Sequence, residues 1–333
     1  MFCYFDHLIT LEKKTHINPT ILNEIERTKK MVQARTPTII DAHCHAWQYW
    51  PYEPPVPDPE SRGITTQLLH QMDVNGVNHA CIVSANVRNN PQNNEYVAAA
   101  VREHPTRLSQ FADIDSHWSK TYHSRGATKR LESAVKTYPM KGFTHYLADE
   151  DDGSWLYSDE GREFFQLAQD TKLIASIHCR PHHQKVIREV AAEFSSLPIL
   201  IHHLGHPSAS EPAPHPKLRE ILDSAALPNI YLKLSGFYYT TDRKWEYPYS
   251  DTLWLYRSAY EHYGPRMVWG SDFPVVNFHM THRQSLEALR SHCSFINETD
   301  MAKILGDNLY KLLHTTREIQ IPQRNPVGND THE

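Results

Sequence analysis

Eight times between residues 38 and 292 a short apolar, β-branched run gives way to a stretch with helical hydrophobic spacing. The runs are Thr38–Ala42, Ala80–Val83, Leu108–Ala112, Lys141–Thr144, Leu173–Ile177, Ile199–Ile201, Ile230–Leu234 and Met267–Trp269. The stretches that follow them are Thr65–Val74, Asn93–Glu103, Lys129–Tyr138, Glu160–Gln169, Gln184–Phe194, Pro216–Ala225, Thr252–Tyr263 and His282–His292, with Met301–Leu313 as a terminal helix. Their apolar residues recur three and four apart, which marks one face of a helix. Eight strand–helix units in roughly 250 residues predict an α/β fold, a (β/α)8 TIM barrel. A doubly wound open sheet is the alternative; no G-x-G-x-x-G opens any helix, which argues against its dinucleotide-binding form.

The flanks read differently. Residues 1–36 look like a helical extension, because Asn18-Pro19 is a good helix start and Ile21, Leu22, Ile25 and Val32 mark one side. This extension is expected to cover a barrel end or to make a subunit contact, which leaves a homo-oligomer open. Residues 37–314 form the barrel, and 315–333 a polar, proline-containing tail.

Composition narrows the function. A net charge of -5 gives no electrostatic reason to expect nucleic acid or an anionic membrane as partner. No run approaches the ~18 apolar residues of a membrane span, and no secretory signal is visible. Five cysteines with no C-x-x-C pair predict reduced thiols and a cytoplasmic location. Cys44 and Cys179 adjoin candidate ligand histidines but are expected to face away from them as small apolar residues.

The ends of the runs carry the chemistry. The first leads into Asp41-Ala42-His43-Cys44-His45, whose two histidines share one strand face. The fifth ends in His178, the sixth in His202-His203, and the eighth in Gly270-Ser271-Asp272-Phe273-Pro274. Strand ends of a parallel barrel converge on one rim, so these groups are expected to meet there. Neutral imidazoles and a carboxylate suit Zn²⁺ or a similar divalent ion. Such an ion lowers the pKa of bound water to about 7. An aspartate beside that water can move its proton, and a further histidine can polarise the electrophile. That describes a hydrolytic site.

These motifs resemble the amidohydrolase superfamily. Leu204-Gly205-His206-Pro207 behind His203, Leu232-Lys233-Leu234-Ser235-Gly236, Trp269-Gly270-Ser271-Asp272-Phe273-Pro274 and Ile304-Leu305-Gly306-Asp307-Asn308-Leu309 are similar to its amidohydrolase-related branch, which includes sugar lactonases and pyrone-dicarboxylate lactonases. The resemblance spans about residues 37 to 314. It implies a distorted (β/α)8 barrel with the site on its C-terminal rim. It also implies His43, His45, His178 and Asp272 as metal ligands, and Asp272 and His203 as catalytic residues. His203 is preferred to His202 because the branch usually carries Asp-His-x-Gly; His202 stands where that aspartate would be. Lys141 opens its run and His145 follows its end, so no strand-four lysine bridges two ions. One ion is expected, zinc or manganese, although some lactonases of this branch work without a tightly held metal.

A small, anionic substrate fits the basic residues near the rim. Arg180, two residues after His178, is the best placed, with Arg88 and Arg283 behind it; Tyr146 and Asn277 are further pocket candidates. Arg125 and Arg243 are the other basic residues near rim positions, and His182, His183, His206, His279 and His282 are pocket-wall candidates. The expected activity is hydrolysis of a lactone of a sugar acid or aromatic-degradation intermediate. Non-oxidative decarboxylation of an aromatic or unsaturated acid is the alternative, and a non-catalytic binding barrel the third reading.

Overall fold

A computed structural model describes residues 38–317; the expected extension at 1–36, and the tail beyond 317, lie outside the described residues. Eight parallel strands pair in chain order. They are β1 (Ile40–Cys44), β2 (His79–Val83), β3 (Leu108–Asp113), β4 (Met140–Tyr146), β5 (Ile174–His178), β6 (Ile199–Ile201), β7 (Ile230–Leu234) and β8 (Met267–Trp269). The helices between and after them are α1 (Thr65–Asn75), α2 (Asn93–Glu103), α3 (Ala127–Thr137), α4 (Asp159–Asp170), α5 (Gln184–Glu193), α6 (Pro216–Asp223), α7 (Leu253–Tyr263) and α8 (His282–Arg290). This is the TIM barrel the alternation predicts.

Local chemistry sets several boundaries. Ser158 caps α4 by accepting from Gly161 N, with Asp159 and Glu160 in the first turn where the helix dipole favours them. Glu160 Oε1 also accepts from the N–H groups of Gly126 and Ala127 at 2.8 Å, so one side chain anchors the starts of two helices. The expected terminal helix is present and runs from Glu298 to Thr315, with one irregular turn. It comprises α9 (Glu298–Ala302), a π-helical turn at Lys303–Asp307, and α10 (Asn308–Thr315). Gly306 lies in that turn, and a Cβ on it would sit 1.7 Å from the carbonyl oxygen of Thr38. The widened turn lets the backbone approach the start of β1.

Side chains alternate between two apolar regions. Phe143, Phe164, Phe165, Ile177 and Ile201 pack between strands and helices. Ile40, Cys81, Phe111, Ile174, Leu200 and Val268 fill the barrel, and α10 adds Leu309, Leu312 and Leu313 to that inner cluster. Burying each large aliphatic side chain contributes about 1.5–3 kcal/mol. With the interior filled, polar groups appear one inward step further along the strands: Ser176 after Ile174, His202 after Leu200, Lys233 after Tyr231. Cys44 and Cys179 are buried in the outer core, away from the barrel interior.

Closure of the barrel is made by the segments that carry the candidate site. β1 and β8 share no regular ladder; instead Asp272 N donates to His43 O at 2.7 Å, and His45 N to Phe273 O at 2.6 Å. Asp41 Oδ1 accepts from His43 N (3.0 Å) and from Ser271 N (2.9 Å), fixing the two segments from below. Gly270 permits this approach, since a Cβ there would lie 2.6 Å from His43 Cβ. Among the described residues no helix is long and apolar enough to cross a membrane.

Candidate active site

His43 and His45 meet edge to face, with ring centroids 5.0 Å apart. Their Nε2 atoms lie 3.4 and 3.6 Å from Asp272 Oδ1. His45 Nδ1 faces the carbonyl of Val83 at 2.7 Å and so carries its proton there, leaving the Nε2 lone pair for the site. Asp272 sits at a positive φ of 60°, a left-handed conformation that aspartate tolerates better than most residues. Its other oxygen, Oδ2, accepts a short hydrogen bond from the buried hydroxyl of Tyr238.

Several imidazoles of the cluster, His43 among them, are held neutral. Burial, then Lys233, keeps His43 well below its ordinary pKa. Burial likewise lowers His202, His203 and His206, and takes His178 down to about 4. The close approach of His43 to Asp272 is therefore a meeting of a neutral ring and a carboxylate, not an ion pair. For Asp272 burial pushes the pKa up, but His203, His45 and Tyr238 together outweigh it and hold the carboxyl below its usual range.

Lys233 projects from β7 into the barrel, fully buried, with its Nζ donating to Ser176 Oγ at 2.6 Å and lying 3.2 Å from His43 Nδ1. Ser176 Oγ in turn contacts His202 Nε2 at 2.7 Å. Burial drops the lysine pKa to about 7. A lone charged residue inside the apolar run Ile-Tyr-Leu-Lys-Leu is a visible sequence signal, and its inward register brings it beside His43.

Above these groups opens a cavity of about 460 Å³. His45, Asp272, His203, His178 and His206 line it, with Tyr146, Trp118, Tyr52 and Tyr239 along the walls. Tyr146 stacks on His178 at 4.9 Å. The loops between residues 46–63, 116–128 and 236–250 supply Tyr52, Trp118 and Tyr239, as their position after strands implies. A second cavity of about 440 Å³, lined by Asn86, Asp113, Arg130 and Tyr138 among others, shares Trp118 as a wall but has no histidine.

Not every sequence-selected residue reaches the cavity. Arg88 lines it and lies 3.9 Å from Glu53. Arg180 lines it too, but its guanidinium is engaged by Asp149 through bonds of 2.6 and 2.8 Å. Asn277 is exposed on the turn after β8, and Arg283 points from α8 toward Glu287, 67% exposed. Neither is among the cavity-lining residues, because both follow the residues that turn the chain away from the rim. Arg243 pairs with Glu246. His183 is tied to Asp151 O at 2.6 Å, and His282 lies 3.8 Å from Asp41. His178 is in the cavity but outside the two tight donor groups: His43, His45 and Asp272 offer atoms within 4.8 Å of one another, and so do His43, His202 and His203.

Lys244, Tyr52, Tyr238 and Tyr239 were not selected from sequence. They sit in loops where spacing carries no directional information. Tyr238 holds one oxygen of Asp272 and leaves the other facing the histidines. Tyr238→Phe is expected to lower kcat about 10–100-fold, the usual cost of losing a residue that orients a ligand. Circular dichroism should be unchanged, and unchanged kcat would show that Asp272 orients itself.

Fold and site together describe a TIM barrel with a cluster of histidines and one aspartate at the strand ends, and sequence comparison makes the family specific. The profile of the amidohydrolase family (the second amidohydrolase group) matches residues 40–315, so the chain belongs to that family. No curated protein sequence matches the chain. Several solved structures share the fold. One is a zinc-bound amidohydrolase from Burkholderia multivorans, 17% identical, TM-score 0.69, covering 83% of this chain and 99% of its own. Another is a probable 2-pyrone-4,6-dicarboxylic acid hydrolase from Acinetobacter baumannii with citric acid bound, 19% identical, TM-score 0.65, again covering 83% and 99%. A third is 5-carboxyvanillate decarboxylase from Sphingomonas paucimobilis, 13% identical, TM-score 0.57, covering 84% and 99%.

Proposed function

We propose that this amidohydrolase opens a lactone ring carrying a carboxylate, using one divalent ion, zinc or manganese. The observation that carries the reading is the Asp272 carboxylate beside two buried imidazole nitrogens on the floor of the cavity. The residues fit a metal: Nε2 of His43 is buried with no hydrogen-bond partner, and neutral imidazoles with one carboxylate are a common donor set. His43, His45 and Asp272 would hold the ion, with His178 close enough to steady it or the substrate. When bound, the ion would supply a Lewis acid and an acidified water.

The chain's own residues do the rest. Asp272 Oδ1 takes the proton of the attacking water as the new C–O bond forms. It returns that proton to the ring oxygen as the ester C–O bond breaks, so a hydroxy acid leaves. His203 faces the same space and can donate to the carbonyl oxygen as negative charge develops there; its Nδ1 is fixed at 3.0 Å from Ser235 Oγ. Trp118, Tyr146 and Tyr52 exclude water from the ring. Lys244 gives the wall a cation suited to an acid, with Arg88 and Arg180 beside it but facing Glu53 and Asp149.

Decarboxylation is the second reading, favoured by the same donor set and by the fold shared with a decarboxylase. A screen settles the choice. Acid release from a panel of carboxylated lactones, followed with a pH indicator, is expected; chelation should abolish it and Zn²⁺ or Mn²⁺ restore it. Release of CO2 from hydroxybenzoates with no lactone opening would replace this reading by the second.

A further inference from the structure

Leu200 points into the barrel, and strand alternation carries His202 inward after it; His203 should then face out. It does not. His203 has φ 47°, and Leu204, Gly205 and His206 continue at 57°, 78° and 58°. Left-handed backbone is unfavourable for side chains with a Cβ, and a run of it at one site invites a functional explanation. The result is that both imidazoles pack against His43, with centroids 4.5 and 4.6 Å from it.

We infer that His43, His202 and His203 form a second cation position, all imidazole in character, set behind the cavity wall and sharing His43 with the His43–His45–Asp272 position. Each of the three residues offers a donor atom, all within 4.8 Å of one another. His43 and His202 are fully buried, and His203 is 4% exposed. Nε2 of His43 and Nδ1 of His202 have no hydrogen-bond partner, an uncommon state for buried nitrogen unless something else engages it. The remaining nitrogens are anchored: His202 Nε2 by Ser176 Oγ, and His203 Nδ1 by Ser235 Oγ. Such outer partners fix ligand rings in place. Lys233 occupies Nδ1 of His43, so Nε2 serves either position and one ion is held at a time.

The two donor sets differ in kind. Three imidazoles favour Ni²⁺, Cu²⁺ or Zn²⁺, whereas a position with a carboxylate also suits Mn²⁺. An ion in the imidazole position takes His43 away from Asp272, so ion identity would decide whether the catalytic arrangement assembles. This inference rests on the reading that His43, His45 and Asp272 hold the catalytic ion.

The test is calorimetric titration of full-length wild type, Asp272→Asn and His202→Gln with Ni²⁺ and with Mn²⁺, each variant checked by circular dichroism. Asp272→Asn is expected to weaken Mn²⁺ at least tenfold and to leave Ni²⁺ within threefold. His202→Gln is expected to do the reverse. Parallel loss of both ions in Asp272→Asn would overturn the second position while leaving the first intact, even if His202→Gln failed to fold. Unchanged Ni²⁺ affinity in folded His202→Gln would overturn it as well. Wild type that binds neither ion would overturn both this inference and the metal-dependent reading beneath it.

Discussion

Asp272→Asn should lower kcat on a turned-over lactone by about 10³–10⁴-fold while substrate affinity stays within about threefold. Asparagine is close in shape and tolerates the left-handed backbone at this position. It can still accept the Tyr238 hydroxyl bond through its carbonyl oxygen. What it cannot do is take a proton from water and return it to the leaving oxygen. Proton transfer by a positioned group contributes about 10²–10⁴-fold, and the lost charge beside His43 and His45 places the effect at the upper end. In barrier terms this is about 4–5.5 kcal/mol. Steady-state kinetics with calorimetric substrate binding would check it. Near-normal kcat would remove Asp272 from the mechanism; equal losses in binding and kcat would make it a binding residue.

Acid should unfold the metal-free protein steeply. His43, His202 and His203 are buried and His178 and His206 half-buried, and desolvation lowers the pKa of each. Unfolded, an imidazole takes up its proton near pH 6.5. Folded, these resist until lower pH, about 4 for His178. Below pH 6.5 the unfolded state therefore binds more protons, and stability falls as pH falls. Each unmatched proton contributes about 1.4 kcal/mol per pH unit. Five acting together approach about 7 kcal/mol per unit, against a total stability of about 5–15 kcal/mol. Lys233, with its folded pKa near 7, extends the same direction upward: the unfolded lysine stays protonated to higher pH, so stability keeps rising above neutrality. Denaturant midpoints of chelator-treated protein at pH 7.5, 6.5 and 5.5 should drop sharply, with unfolding without denaturant between pH 6 and 5. A flat profile would mean that these histidines are hydrated in solution.

Much of the barrel was legible because strand alternation is local. The bounds of β6, β7 and β8 follow their apolar runs residue for residue. β1 begins two residues later than its run, at Ile40. The terminal helix at Met301–Leu313 is present, but its π-helical turn is not legible locally, because the close pass of Gly306 against Thr38 is a contact between residues far apart in sequence.

The site divides along the same line. Residue type and periodicity determined by themselves that His43, His45, His178, a strand-six histidine and Asp272 would arrive at one rim, since a parallel barrel gathers strand ends. Only the tertiary structure decided the finer arrangement: that left-handed backbone turns His203 inward beside His202, that Tyr238 grips Asp272, and that Lys233 reaches His43. It also decided that Arg180 is engaged by Asp149 while Lys244 joins the wall. Periodicity fixes which face of an element a side chain leaves from. Contacts made by loops and by the ends of long side chains depend on positive φ values and on partners tens to hundreds of residues away, which no local spacing encodes.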